Sequence, residues 1–207
     1  MSGIRRILFA TGNEGKMREI RSILADTGAE VLSMKEAGVS LDIVEDGVTF
    51  EENALIKARA VAAALIGTDS VVLADDSGLV IDALGGEPGI YSARYMGENT
   101  SYEEKNANLI GRLEGVPDEK RTARFVCAIA AVMPDGREFT VQGAIEGRID
   151  YEQKGEGGFG YDPIFYVPEF GKTTAEMTAE EKNRVSHRGK ALEHMKEVLR
   201  ENEGFDR

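Results

Sequence analysis

Asp75-Asp76-Ser77-Gly78 sets two adjacent carboxylates directly behind an apolar stretch, residues 71–74, that reads as a buried strand. Two carboxylates there are costly unless something pairs them. The ends of strands in α/β sheets are also where ligands bind. Mg²⁺ is suited to such a place, because it takes one or two carboxylates plus substrate phosphates and keeps several waters. Neighbours on an extended segment point to opposite sides, so one aspartate is expected to face a site and the other to be structural. Glu45 and Asp46, in an acidic turn before Gly47, are candidates for a second metal ligand or a solvated loop.

Thr11-Gly12-Asn13-Glu14-Gly15-Lys16 is a second place for chemistry. It is not a Walker loop, which needs four residues between its glycines and Ser or Thr after its lysine. Two residues separate the glycines here, and Met17 comes after Lys16. A glycine loop at a helix start with one lysine still suits phosphate, through backbone N–H groups aimed at the anion; a plain strand–helix turn is the alternative. Gly155-Glu156-Gly157-Gly158-Phe159-Gly160 spells the dinucleotide fingerprint, but Tyr161-Asp162-Pro163 behind it cannot open the helix that the fingerprint requires. Phe159 and Tyr161 read either as core rings or as platforms for a base. Ser186-His187-Arg188, with Lys182 and Arg184 close by, is the densest basic segment of an acidic chain and fits an anion, a base edge or a solvated face. His194 reads as structural or exposed. Cys127 lies in an apolar run and reads as a buried core thiol.

The elements that must carry these residues are set by periodicity. Residues 7–10 read as a strand, and Met17, Ile20 and Leu24 give the stripe of a helix opening near Gly15. Thr49-Phe50-Glu51-Glu52, Ser101-Tyr102-Glu103-Glu104 and Thr178-Ala179-Glu180-Glu181 are capping boxes, each opening a helix; the third opens the last helix, with Leu192, Met195, Val198 and Leu199 on its core face. Residues 123–133 and 138–145 read as a hairpin turned at Pro134-Asp135-Gly136, and 164–167 as a short strand. No element is assigned to residues 31–44. Helices and strands alternate first and a hairpin comes later, which predicts an α/β protein with a mixed sheet.

The 207 residues, 42% hydrophobic and 30% charged, suit one large domain or one domain in two lobes. A net charge of -12 opposes binding to a nucleic acid polymer, though not to one nucleotide held by a local cluster of Lys and Arg and a metal. The apolar stretch near the N-terminus is shorter than the roughly 7–15 residues of a signal sequence, and no window approaches the ~20 residues of a membrane span. A cytoplasmic location with no membrane partner is expected.

Together these segments resemble the inosine triphosphate pyrophosphatase family of house-cleaning enzymes. The resemblance rests on Thr11-Gly12-Asn13-Glu14-Gly15-Lys16, Ala74-Asp75-Asp76-Ser77-Gly78, Gly85-Gly86-Glu87-Pro88-Gly89-Ile90-Tyr91-Ser92-Ala93-Arg94, Gly158-Phe159-Gly160-Tyr161-Asp162-Pro163 and Ser186-His187-Arg188, in the family's order over nearly the whole chain. It implies a two-lobed α/β fold, residues 1–207 as a single catalytic domain, with a long mixed β-sheet flanked by helices and a substrate cleft between the lobes. It implies a homodimer. It implies Mg²⁺-dependent hydrolysis of noncanonical purine nucleoside triphosphates (ITP, dITP, XTP) to the monophosphate and pyrophosphate, which keeps them out of DNA and RNA. Carried over residue by residue, Thr11, Gly12, Asn13, Glu14, Gly15 and Lys16 would hold the triphosphate. Asp76 would be the catalytic acid–base group, Glu45 and Asp76 the metal ligands, and Ser77 a substrate contact. Phe159, Gly160, Tyr161, Asp162, Lys182, His187 and Arg188 would surround the base. Two alternatives stand beside this: a pyrophosphatase of the septum-inhibitor type acting on modified pyrimidine nucleotides, against which Ser186-His187-Arg188 argues, and a nucleotide sensor without turnover, against which intact Glu45 and Asp76 argue.

Overall fold

The computed structural model describes residues 4–65 and 67–203. Along the chain run β1 (Arg6–Phe9), α1 (Glu14–Leu24), β2 (Glu30–Ser33), α2 (Phe50–Ala64), β3 (Val71–Ile81), α3 (Tyr102–Arg112), β4 (Thr122–Val132), β5 (Glu138–Ile149), β6 (Phe165–Val167), β7 (Lys172–Thr173), α4 (Ala179–Val185) and α5 (His187–Glu203). The strands form one sheet in the order β2-β1-β3-β4-β5-β6-β7. β1 is parallel to β2 and β3, whereas β6 is antiparallel to β5 and β7, so the sheet is mixed, as the order of elements in the sequence predicts. Among the described residues no helix is long and apolar enough to cross a membrane.

Contacts divide the chain into two compact units. The first comprises Met1–Asp76, Cys127–Gly143 and His187–Arg207; the second comprises Ser77–Val126 and Ala144–Ser186. In the first unit the two-residue period of the strands sorts side chains between two cores. Ile7, Phe9, Val71, Leu73, Cys127, Ile129 and Ala131 pack with Met17, Ile20 and Leu24 of α1 and Leu192, Met195 and Leu199 of α5. Their alternates Leu8, Ala10, Val72, Ala74, Ala128 and Ala130 pack with Ala54, Ala58 and Val61 of α2. Strands covered on both faces read as continuous apolar runs. Cys127 is accordingly a buried thiol in no disulfide.

The second unit has its own core, in which Leu109 of α3 and Leu113 meet Leu79, Ile81, Phe125, Ile145, Ile149, Ile164 and Phe165. α3 opens with a complete capping box between Ser101 and Glu104, and α4 with another between Thr178 and Glu181.

Four sequence expectations change. β3 does not stop at Ala74 but continues through Asp75-Asp76-Ser77-Gly78 to Ile81, because the buried carboxylates find cationic partners on helices and the apolar run resumes at Leu79. The helix opened by Thr178 is not the last one: α4 ends at Val185, Ser186 is extended (φ -64, ψ 153), and α5 starts anew at His187. β5 runs on to Ile149. β2 starts just before and runs into residues 31–44, where the sequence assigns no element; it has only four residues, most of them incompletely buried.

Candidate active site

The alternation that sorts the first unit's core also sorts its two aspartates. Asp75 continues the Val71–Leu73 side and meets α1 and α5; Asp76 continues the Val72–Ala74 side and meets α2. Asp75 is 1% exposed. Lys16 Nζ donates to its two oxygens at 3.2 and 3.0 Å, and Arg188 Nε donates to Oδ2 at 3.3 Å. Burial alone would raise the pKa of this carboxyl, but Lys16, Arg188 and Lys57 outweigh it and hold the group far below the usual carboxylate range. Arg188, itself 2% exposed, also donates from Nη1 to Glu19. Asp75 is therefore the centre of a buried ionic cluster that ties α1 and α5 to the sheet.

Asp76 is placed differently. It is 8% exposed. Its Oδ2 accepts a hydrogen bond from Asn53 Nδ2 at 3.1 Å, and its Oδ1 lies 3.7 Å from Lys57 Nζ. The same lysine donates to Glu45 Oε2 at 3.0 Å. Burial pushes the Asp76 carboxyl up, and Lys57 and Asn53 offset that only in part. Lys57 stays protonated: burial would lower its pKa, but Asp75, Asp76 and Glu45 raise it further. A carboxyl with a raised pKa, held within a strand by an amide on one oxygen and facing a shared ammonium with the other, is what a proton-accepting group needs.

Among the described residues no set of three or more His, Cys, Asp or Glu side chains could hold a metal ion by itself. Glu45 and Asp76 nevertheless converge on one ammonium group. Two carboxylates gathered at one cation suit Mg²⁺, which completes its shell with water and phosphate oxygens. The donor set fits the ion.

Thr11, Gly12 and Asn13 form the turn between β1 and α1, and Glu14, Gly15 and Lys16 make the first turn of α1. Asn13 caps α1, its Oδ1 accepting the Lys16 N–H at 3.0 Å, and Thr11 Oγ1 accepts the Asn13 N–H at 3.2 Å. The turn thus presents a helix N-terminus, with Lys16 anchored on Asp75 beside it.

In the second unit the aromatic loop is built around Asp162. This buried carboxylate accepts from Phe159 N at 2.8 Å, Thr174 Oγ1 at 2.8 Å and Lys182 Nζ at 2.7 Å. Gly158 must be glycine here: its φ is +71°, and an added Cβ would collide with the Asp162 carboxylate. Lys182 Nζ also lies 4.7 Å from the centroid of the Phe159 ring, which is 40% exposed. Tyr161 is core, 4% exposed, with its hydroxyl donating to Ser92 O at 2.6 Å and its phenol pKa pushed up by burial. Buried Lys105 and Asn106 on α3 hold the two loops involved: Lys105 Nζ donates to Ala93 O at 2.9 Å and Asn106 Nδ2 to Gly160 O at 3.2 Å.

The structure thus brings Lys16, Glu45, Asp76 and Arg188 into one unit with the Thr11 turn, and Phe159, Gly160, Tyr161, Asp162 and Lys182 into the other. Ser77, half-buried within β3, begins the second unit, and buried His187 begins α5 in the first. Asn53, Lys57 and Glu19 are participants that the sequence pattern passes over. Asn53 and Lys57 carry a signal in retrospect: they are polar, one helical turn apart, and interleaved with the apolar stripe Ala54, Ala58, Val61.

Against this geometry, a protein-family model described as the Ham1 family matches residues 7–198. The chain belongs to the Ham1 family. This Ham1 chain is 50% identical over 194 residues to a dITP/XTP pyrophosphatase of Desulforamulus reducens, covering 94% of the chain and 95% of that relative. It is 47% identical over 196 residues to the Bacillus subtilis protein of the same name, covering 95% and 98%. Its fold matches the solved structure of the Staphylococcus aureus Ham1 protein with a TM-score of 0.84 at 42% identity, over 95% of this chain and 99% of that one.

Proposed function

We propose that this chain is a Mg²⁺-dependent pyrophosphatase that hydrolyses the noncanonical purine nucleotides ITP, dITP and XTP to a nucleoside monophosphate and pyrophosphate, with residues 1–207 acting as one catalytic domain. The carrying observation is Asp76: a buried strand carboxylate with a raised pKa, one oxygen held by Asn53 and the other facing the lysine shared with Glu45. Membership of the Ham1 family, whose relatives bear the name dITP/XTP pyrophosphatase, supports the substrate class.

In this reading the α1 N-terminus and Lys16 hold the β- and γ-phosphates that leave, through backbone N–H groups and one anchored ammonium. Ser77 touches the substrate. Glu45 and Asp76 hold Mg²⁺, which neutralises triphosphate charge when bound. Asp76 accepts the proton of the water that attacks the α-phosphorus in line, and positioning and charge do the remainder. Phe159 stacks on the base. Lys182, His187 and Arg188 supply donors to the purine 6-oxygen, Arg188 from a guanidinium oriented by Asp75 and Glu19. Adenine offers an amino group there, and donors left unpaired can discriminate by about 10⁴-fold. Asp162 would attract a 2-amino group if open, but it is occupied by Lys182, Thr174 and the Phe159 N–H, so its role is to hold the loop and the lysine. A net charge of -12 supports action on free nucleotides rather than on a nucleic acid polymer. The cytoplasm is the proposed location and a homodimer the proposed assembly.

The test is incubation of the purified protein with Mg²⁺ and ITP, a modified pyrimidine triphosphate or ATP. One pyrophosphate per ITP, with little turnover of the others, is expected. IDP plus orthophosphate would sink the reaction type, preference for the pyrimidine would favour the septum-inhibitor type, and binding without turnover would favour a sensor.

A further inference from the structure

The proposed reaction leaves one buried polar side chain at its centre without a task. Asn53 is 0% exposed, in the first turn of α2 behind the Thr49 cap. Its two amide ends point to different partners. Oδ1 accepts the backbone N–H of Gly47 at 2.9 Å, and Nδ2 donates to Asp76 Oδ2 at 3.1 Å. Gly47 lies two residues past Glu45, so one side chain links the loop bearing one carboxylate to the strand bearing the other.

The fit at Gly47 is tight. A Cβ there would lie 2.7 Å from Asn53 Oδ1, 2.8 Å from Glu52 Cβ and 3.0 Å from Asn53 N. The loop backbone is therefore seated directly on the amide, and Val48 N donating to Glu52 Oε2 at 2.7 Å closes it from the other side. The amide accepts from a backbone N–H at one end and donates to a carboxylate at the other; Asp lacks the donor and Leu lacks both. A buried polar bridge satisfied at both ends is stiff, and this stiffness sets geometry. By engaging Oδ2, Asn53 also fixes which Asp76 oxygen, Oδ1, is turned toward Lys57 and Glu45.

We propose that Asn53 is a positioning residue that sets the separation of Glu45 and Asp76 and designates Asp76 Oδ1 as the oxygen facing metal and water. The proposal rests on the roles proposed for Asp76 and Glu45, and it goes beyond them by assigning the device that holds the two carboxylates in register.

The experiment compares wild type, Asn53→Ala, Asn53→Asp and Asp76→Asn in three measurements: steady-state ITP hydrolysis, Mn²⁺ binding to nucleotide-free protein by electron paramagnetic resonance, and thermal unfolding. Asn53→Ala should lower kcat about 10–100-fold, the scale of a sub-ångström to 1 Å misplacement, while KM for ITP moves less than about threefold. It should also weaken Mn²⁺ binding. Asn53→Asp keeps the acceptor for Gly47 but sets a negative charge against Asp76. It should lose kcat as Asn53→Ala does yet bind Mn²⁺ at least as tightly as wild type, and it carries the test if the alanine variant does not fold. Wild-type kcat in Asn53→Ala overturns the proposal. So does a fall in kcat and Tm together with a rise in KM and unchanged Mn²⁺ affinity, which marks mere scaffolding. Full activity in Asp76→Asn would overturn the underlying assignment of Asp76 instead, so the two failures are distinct.

Discussion

Asp75 and Asp76 are chemically identical neighbours, and the fold gives them opposite surroundings. Asp75 has two cations within hydrogen-bonding distance and a pKa held low; Asp76 has an amide, a more distant lysine and a pKa pushed up. Asp76→Asn is therefore expected to lower kcat by at least about 10²–10⁴-fold, the usual loss for a general base, with the unfolding midpoint little changed. Near-normal turnover at saturating Mg²⁺ would refute the assignment. Arg188→Met should act first on stability, because it takes one of two cations from the buried Asp75, leaving Lys16, and sets an apolar chain beside Glu19. Breaking a buried pair in this way costs about 3–5 kcal/mol. Urea unfolding of Arg188→Met and of its double variant with Asp75→Asn measures it; the double variant should lose less than the sum of the two singles. The ITP-to-ATP ratio of the residual activity reads the base-recognition role separately. At this scale the carboxylate pair was legible because adjacency on a strand dictates opposite faces. Asn53 and Lys57 were not, because a polar residue on a helix stripe shows its purpose only when the partner strand is known.

Elements were legible where period and caps agree. The starts of α2, α3 and α4 fall at the caps Thr49, Ser101 and Thr178, since a cap is a local hydrogen-bond pattern written in four residues; the box is complete at α3 and α4, whereas at α2 Glu52 accepts from Val48 N instead of the Thr49 N–H. The far end of β3 was hidden because strand continuation through charged residues depends on cations from α1, α2 and α5, far away in the sequence. β2 was hidden because four residues, only one of them buried, leave no alternation to read. α3 is more than a packing element: Lys105 and Asn106 hold the loops at Ala93 and Gly160. Ser101→Ala removes its cap and should cost about 0.5–2 kcal/mol, measured by denaturant titration. If the loop at Gly160 depends on α3, hydrogen exchange at Phe159 and Gly160 should rise with it. Unchanged exchange there would separate the helix from the loop.

Over the whole molecule, composition gave the class and the five ordered segments the family, whereas the partition into two compact units is a contact property that no local pattern encodes. The charge of -12 sits on a chain in which Lys16, Lys57, Lys182 and Arg188 are each compensated by a carboxylate. A polymer of phosphates thus meets a repulsive surface, while a lone triphosphate can carry its own magnesium past it. A single-stranded DNA oligonucleotide is expected to leave ITP turnover unchanged even at low ionic strength, where electrostatic binding is strongest. Competitive inhibition that fades with added salt would contradict this.

The alternation along β3 has a genetic corollary. Because side-chain parity assigns Asp75 to α1 and α5 and Asp76 to α2, a single codon inserted or deleted within residues 71–74 would leave both aspartates in the protein and exchange their faces if the strand slipped to accommodate it. The carboxylate aligned with Asn53 would then be the former anchor of Lys16, and the former partner of Asn53 would confront Arg188, with every apolar side chain of the strand displaced to the wrong core. Substitutions in this strand can be graded, but changes in its length are all or nothing. The reading frame of β3 is thus as much a part of the site as the residues it carries.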